Sequence, residues 1–204
     1  MIMKTRILKN VLFIGVVSVL MSFDLPTSWF KAGDKPQSYE MGIDKDAGQD
    51  SKNAATIKSI DKEIKGFGTL MQDCLPGKYL GKRVRMIGML KTKDVSGWAG
   101  LWLRIDTKTP IKAVVFDNMR AGKKDNSVKG TTDWKKYEII LDVPANASNI
   151  AYGALLNGTG QIWFDNLSFE IVAPVILTTG IERETTSSTY SSHQKEPVNL
   201  DFEK

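Results

Sequence analysis

The run Gly97-Trp98-Ala99-Gly100-Leu101-Trp102-Leu103-Arg104-Ile105-Asp106 decides the fold of this chain. Leu101, Leu103 and Ile105 alternate with Trp102, Arg104 and Asp106. Period two is the repeat of a strand, whose successive side chains point to opposite faces. One face here is wholly apolar; the other sets an indole, a guanidinium and a carboxylate in a row. The same period continues outward in both directions. Val84, Met86, Gly88 and Leu90 oppose Arg85, Ile87, Met89 and Lys91. Tyr137, Ile139, Leu141 and Val143 oppose Lys136, Glu138, Ile140 and Asp142. Ile150, Tyr152, Ala154 and Leu156 form a further set, and Ile162, Phe164 and Leu167 close the series with an irregularity near Asp165. Turn formers punctuate these runs: Pro76-Gly77-Lys78, Ser96-Gly97, Thr109-Pro110, Gly130-Thr131, Pro144-Ala145-Asn146 and Asn157-Gly158-Thr159-Gly160. No long helical period appears between 54 and 172. Eight or nine short strands at this spacing predict an all-β chain, an antiparallel β-sandwich of jelly-roll type.

The flanks differ in character. Residues 1–10 carry Lys4, Arg6 and Lys9, and residues 11–23 are then apolar and uncharged up to Phe23. A basic end followed by a short apolar stretch has the form of a secretory signal, so 1–23 is expected to be a helical signal peptide or N-terminal anchor and the protein secreted or periplasmic. The apolar run falls short of the roughly 20 residues that cross a bilayer, so no stable membrane span is expected. The sandwich is expected over 24–172, and a Thr/Ser-rich linker over 173–204.

Composition excludes several classes of function. With 204 residues, 42% hydrophobic and 25% charged, the chain can bury a core unaided by disulfides. The net charge of +5 is spread along the chain, with no dense basic patch interleaved with aromatics, which argues against nucleic acid as a partner. Cys74 is the single cysteine and His193 the single histidine. No intrachain disulfide or paired-cysteine metal site can form, and one cysteine at the end of an apolar run and one histidine in a polar tail, far apart, argue against a Cys/His or Ser/His catalytic pair. Gly66-Phe67-Gly68 precedes a strand instead of a helix and makes no dinucleotide cradle. Asp44, Asp46 and Asp50 lack the glycine and closing Glu of a calcium-binding loop. The chain is not expected to be an enzyme.

A binding surface is the better expectation. Trp102 offers a flat ring to a sugar, while Arg104 and Asp106 offer donors and acceptors to hydroxyls. Gln72, Asp117 and Asn118 are expected on neighbouring strands of the same sheet. The ligand expected is a carbohydrate or another small polar molecule; an open sheet or edge that docks a partner protein is the alternative. A structural reading stays open beside both, in which Trp102 caps a second layer and Arg104–Asp106 is an ion pair of the fold. Trp29, Trp134 and Trp163 are expected in packing.

Five segments carry a family resemblance: Pro26-Thr27-Ser28-Trp29-Phe30, the run 97–106, Phe116-Asp117-Asn118-Met119, Gly130-Thr131-Thr132-Asp133-Trp134-Lys135-Lys136-Tyr137, and Gly158-Thr159-Gly160-Gln161-Ile162-Trp163-Phe164-Asp165-Asn166-Leu167. In these the stretch 26–172 resembles jelly-roll domains of the galactose-binding-like class. Such domains occur at the N-terminus of secreted Bacteroidetes erythromycin-esterase-like proteins and carboxy-terminal-processing serine peptidases, and are appended to some bacterial transcriptional regulators. The resemblance implies a non-catalytic accessory module, or a ligand-sensing regulatory domain. Related domains open with a strand reading Asn-Leu-Asp-Phe-Glu. Here that string stands at the far end, as Asn199-Leu200-Asp201-Phe202-Glu203. Residues 198–203 are therefore expected either to fold back as an edge strand or to begin a further domain. The resemblance also implies a structural calcium, shared by Asp165 and, if the tail folds back, Glu203.

Overall fold

The computed structural model describes residues 23–49, 52–107, 113–182 and 194–204. The leader, except for Phe23, and the Thr109-Pro110 turn lie outside them.

Ten strands follow in order: β1 (Phe30–Gly33), β2 (Tyr39–Asp44), β3 (Ala54–Ser59), β4 (Phe67–Cys74), β5 (Lys82–Thr107), β6 (Ala113–Asp117), β7 (Val128–Val143), β8 (Ala147–Asn157), β9 (Gln161–Val172) and β10 (Ile181–Glu182). Two short 3-10 turns, Pro36–Ser38 and Gly77–Tyr79, stand between strands. All strand pairs are antiparallel. The all-β expectation holds, and the layers are joined by one strand common to both. The N-terminal half of β5 lies between β7 and β9, with β3 and β2 beyond β9. Its C-terminal half lies between β8 and β6, with β4 and β1 beyond β8 and β10 beyond β6. We call these the second and the first sheet.

This sharing corrects one expectation. Ser96-Gly97 is not a turn between two strands but the corner of a single 26-residue strand. Register against β7 slips between Leu90 and Thr92, between Thr92 and Val95, and between Val95 and Ala99. Gly130, expected in a turn, lies inside β7 opposite Val95 with φ +68°. A bulged residue in the left-handed region bends and twists its strand, and glycine enters that region without steric cost. At the corner β5 runs so close to the β8–β9 connection that a Cβ on Gly97 would stand 2.3 Å from the Asn157 carbonyl oxygen. Turn chemistry is therefore spent on bending a strand instead of ending it.

The main core fills the space between the inner faces. Leu70, Met86, Leu90, Leu101, Leu103, Ile105, Ile139, Tyr152 and Phe164 are fully buried there. The polar entry contributes Trp29, Tyr39 and Met41 to the same core. Cys74 is buried as expected, and burial pushes its thiol up to about 12, an unreactive structural group.

The tail packs back on this core but forms no strand. Asn199 and Phe202 have φ of +48° and +55°, which interrupts any pleat over 198–203. Its anchor is Phe202, fully buried with ring centroids 5.0 Å from Trp29 and 5.1 Å from Phe164.

Candidate functional site

Strand parity and register place the expected site residues. On the face of the first sheet turned away from the main core, Phe30, Met71, Gly153 and Trp102 form one row across four strands. Ala32, Thr69, Leu155 and Gly100 form the next row, and Asp73, Ala151, Arg104 and Phe116 the next on the other side. Asn149 and Asp106 follow in register beyond these. Trp102, Arg104 and Asp106 thus share the face expected of them, opposite core-facing Leu101, Leu103 and Ile105.

The face has its own apolar cluster. Met71, Trp98, Trp102, Ala151 and Leu155 are buried there, with Phe30, Ala32, Phe67 and Phe116 partly exposed around them. Trp102 on β5 donates from Nε1 to Thr69 Oγ1 on β4, at 2.8 Å. β8 lies between those strands, so the indole leans across it beside Gly153, which has no side chain to stand in the way. Trp102 is 7% exposed and Trp98 9%, the latter under the Arg120 guanidinium at 5.3 Å. This is the second-layer packing left open as an alternative, with the part-exposed phenyl rings at its rim.

Polar groups border one end of the cluster. Arg104 Nε and Nη2 meet the two oxygens of Asp106, each at 3.0 Å. Asn149 Nδ2 donates to Asp106 Oδ2 at 3.1 Å, and Ser148 Oγ to the Asp106 carbonyl at 3.3 Å. The Nη2 hydrogen bond and the close opposite charges hold the two side chains together. Asn149 is buried, and among the described residues its Oδ1 has no hydrogen-bond donor. A buried amide oxygen in that condition has a standing demand for an N–H or O–H.

Three expected ligand contacts fall elsewhere. Gln72 alternates with Met71, so its side chain enters the inner face, accepts from the Tyr152 hydroxyl and bonds the backbone of the tail at Val198. Asp117 pairs with Leu103, also on the inner side, and accepts from the Met119 amide at 2.7 Å; burial raises its carboxyl above the usual carboxylate range. Asn118 Oδ1 accepts from the amides of Arg120 and Ala121. Asp117 and Asn118 therefore shape a turn. A one-position offset along a strand exchanges faces, and residue type alone does not reveal it. Sequence reasoning in turn missed Asn149 and Phe116. Pairing across β5 brings them to this face; Asn149 stands in no motif, and Phe116 stood in the quoted Phe116-Asp117-Asn118-Met119 segment without being singled out.

Asp165 and Glu203, expected to share calcium, are near enough for Glu203 to raise the Asp165 carboxyl. Burial raises it first, Glu203 and Asp201 add to this, and the result is about 6. However, both Asp165 oxygens accept from Asn166, at 2.6 and 3.2 Å, and both Glu203 oxygens accept from Asn53, at 3.0 and 3.3 Å. Calcium takes six to eight oxygens. No set of three or more Asp, Glu, His or Cys side chains is grouped for a metal among the described residues. The donor set does not fit a calcium cage.

Comparison with known proteins places the fold. No family model matches the chain. The HTH-type transcriptional regulator YbfP of Bacillus subtilis is 38% identical over 176 residues, covering 86% of this chain. The chain spans 56% of that regulator's length. Among solved structures, the xylan-binding CBM22-1 domain of Paenibacillus barcinonensis Xyn10C superposes with TM-score 0.52 at 12% identity, over 73% of this chain and 89% of that domain. The tailspike protein 4 enzymatically active domain of bacteriophage CBA120 superposes with TM-score 0.54 at 10% identity, over 72% of this chain and 20% of that one. At such identities the likeness is one of fold: the jelly-roll sandwich shared with carbohydrate-binding modules.

Proposed function

We propose that the chain is a non-catalytic carbohydrate-binding module of the cell envelope or exterior, and that it takes its ligand along the outer face of the first sheet. The observation that carries this reading is the second cluster itself. A sandwich needs one core, yet here the far side of one sheet is lined by indoles and phenyl rings and ends in the Arg104–Asp106 pair. Part-exposed Phe30, Phe67 and Phe116 offer apolar area to sugar rings. The Arg104–Asp106 pair, part-exposed at the end of the cluster, offers donors and acceptors to hydroxyls, and Trp102 holds the floor in place. The fold neighbours that bind xylan support the same reading, as does the shortage of groups for acid–base or nucleophilic chemistry. The test is calorimetry against xylo- and gluco-oligosaccharides of increasing length. Binding that strengthens from two to six units, and that falls at least tenfold in Phe116→Ala and Phe30→Ala, is expected. Unchanged affinity in both variants overturns the site.

A second reading is favoured by the regulator's 38% identity, well above that of any structural neighbour named here. On this reading the sandwich senses a small soluble ligand on behalf of a DNA-binding region elsewhere in a longer chain. Affinity that is already maximal for a monosaccharide, with no gain on lengthening, selects the sensor over the module.

A further inference from the structure

We infer that the glycan taken by the outer face of the first sheet is acidic, and that Arg120 reads its carboxylate at the Trp98 end of that face. This rests on the reading of the face as a sugar site and names the class of sugar. Four arginines lie among the described residues, and three of them are paired. Arg83 meets Asp142 at 2.7 Å, Arg85 meets Glu138 at 3.4 Å and Arg104 meets Asp106 at 3.0 Å. The Arg120 guanidinium meets no carboxylate among the described residues. It is exposed and stands over the Trp98 ring, 5.3 Å from the centroid. An indole face offers a cation its negative potential but no lone pair, so the five N–H donors of the guanidinium stay open. Their planar fork matches the two oxygens of a carboxylate. Asp125 is the one acid in the loop 118–129, and it is turned to Ser127 instead. It accepts from the Ser127 hydroxyl at 2.6 Å and from the Ser127 amide at 3.0 Å.

The loop that carries Arg120 holds it at this spot. Asp117 Oδ1 accepts from the Met119 amide at 2.7 Å, and Asn118 Oδ1 accepts from the amides of Arg120 at 3.2 Å and Ala121 at 2.7 Å. Gly122 packs so close to Asp117 that a Cβ there would stand 2.6 Å from Oδ1. The Met119 sulfur accepts from the Leu101 amide at 3.1 Å, and Lys123 N donates to the Thr179 carbonyl at 2.7 Å. The Asn118 carbonyl oxygen lies 3.0 Å from where Gly100 would carry a Cβ, so the turn closes over this face at a residue with no side chain. A side chain presented by a turn fixed in this way loses little freedom on binding. Trp98 and Arg104 stand six positions apart on β5, roughly 20 Å along the strand. A glycan lying along that strand meets Arg120 at one end and, at the other, a guanidinium already neutralised by Asp106. Only the first has charge to spare for an acid. Lys123, Lys124 and Lys129 share the loop with the single acid Asp125, so the field around Arg120 draws anions toward it.

The experiment is calorimetry on the full chain with matched pairs of oligosaccharides. Hexagalacturonate, hexamannuronate and a xylohexaose bearing glucuronic acid are each set beside the same sugar with its carboxyls reduced to alcohols. At about 50 mM salt, at least one acid is expected to bind at least tenfold tighter than its reduced counterpart, and the preference is expected to shrink at about 500 mM. Arg120→Gln is expected to bring the ratio to within twofold of one. Lys124→Gln takes an equal charge from the same loop, leaves the Arg120–Trp98 contact in place, and is expected to keep most of the ratio. Where thermal melting shows Arg120→Gln to be poorly folded, Arg120→Lys replaces it; with the charge kept and the fork lost, the preference is expected to fall at least threefold. A preference that survives loss of the guanidinium, or that Lys124→Gln abolishes equally, overturns Arg120 as the reader. Equal affinity for acid and reduced forms, with binding still weakened by Phe116→Ala and Phe30→Ala, overturns the acidic ligand and leaves the sugar face standing. Binding of no sugar, acidic or neutral, overturns both.

Discussion

The two sheets turn very different outer faces away from their common core. On the second sheet that face is charged: Arg85 lies between Glu138 and Glu170, at 3.4 and 3.5 Å, and Arg83 pairs with Asp142 at 2.7 Å. Arg83 also bonds the carbonyls of Pro174 and Ile176, fixing the turn that follows β9. These carboxylates are about half exposed, as ordinary sheet surfaces facing water are. On the first sheet the corresponding face is an apolar field with one buried-edge ion pair. Both faces arise from the same alternation, and β5 runs through both. The difference teaches that period two predicts which residues share a face but not whether that face meets solvent.

The comparison makes predictions of graded size. Trp102→Ala should cost about 3–5 kcal/mol, because it opens a hole in a packed cluster. Trp163, on the second sheet, is half-buried and donates from Nε1 to Asp44 at 2.7 Å; its replacement by Ala should cost about 1–2 kcal/mol. Urea unfolding measures both, and equal costs would break the contrast between the faces. Next in size is Asp106→Ala, which leaves Arg104 mostly out of water without its carboxylate and should cost about 3 kcal/mol.

A pH scan sharpens the comparison where the second sheet goes dry at its rim. Asp165 is 1% exposed, and burial, with Glu203 and Asp201 adding, holds its carboxyl at about 6 against an ordinary 3.8. The native state therefore binds this proton more tightly than the unfolded chain does. The stability it contributes is fully present below about pH 4 and is lost as pH rises through about 6, on the order of 3 kcal/mol at roughly 1.4 kcal/mol per unit. Asp165→Asn should flatten that part of the stability–pH curve, read from thermal melts of both proteins. An unchanged slope between pH 4 and 6 would show that Asp165 is solvated after all. The smallest effect belongs to the charged face: Glu170→Gln should cost under about 1 kcal/mol, since Arg85 keeps Glu138 and water. A loss as large as that of Asp106→Ala would erase the distinction.

Much of the fold was legible from residues alone. Leu101, Leu103 and Ile105 announced a strand with one dry face, and Asn157-Gly158-Thr159-Gly160 announced a turn, though the strands it joins, β8 and β9, pair on opposite halves of β5 and not with each other. The corner of β5 was not legible, because Ser96-Gly97 and Gly130-Thr131 have the composition of turns whether they end a strand or bend it. The site was legible in part. Trp102, Arg104 and Asp106 share a face through simple parity along one strand. Gln72 and Asp117 were misassigned because parity within a strand says nothing of its phase relative to a neighbour. That phase is set by pairing, Gln72 with Tyr152 and Asp117 with Leu103.

What the residues determined unaided is local: the period of each strand, the apolar side of each, the single thiol and single imidazole set far apart in the chain, and the apolar alternation of Leu200 and Phe202. What tertiary structure decided is every relation between distant segments. It set Thr69 within reach of the Trp102 indole, left Asn149 Oδ1 without a donor among the described residues, and opened between Trp29 and Phe164 the socket that Phe202 fills. Alternation is a property of neighbouring residues and follows from backbone geometry. Register and docking depend on contacts between segments up to 170 residues apart, as between Trp29 and Asn199, and only the packed chain brings those together.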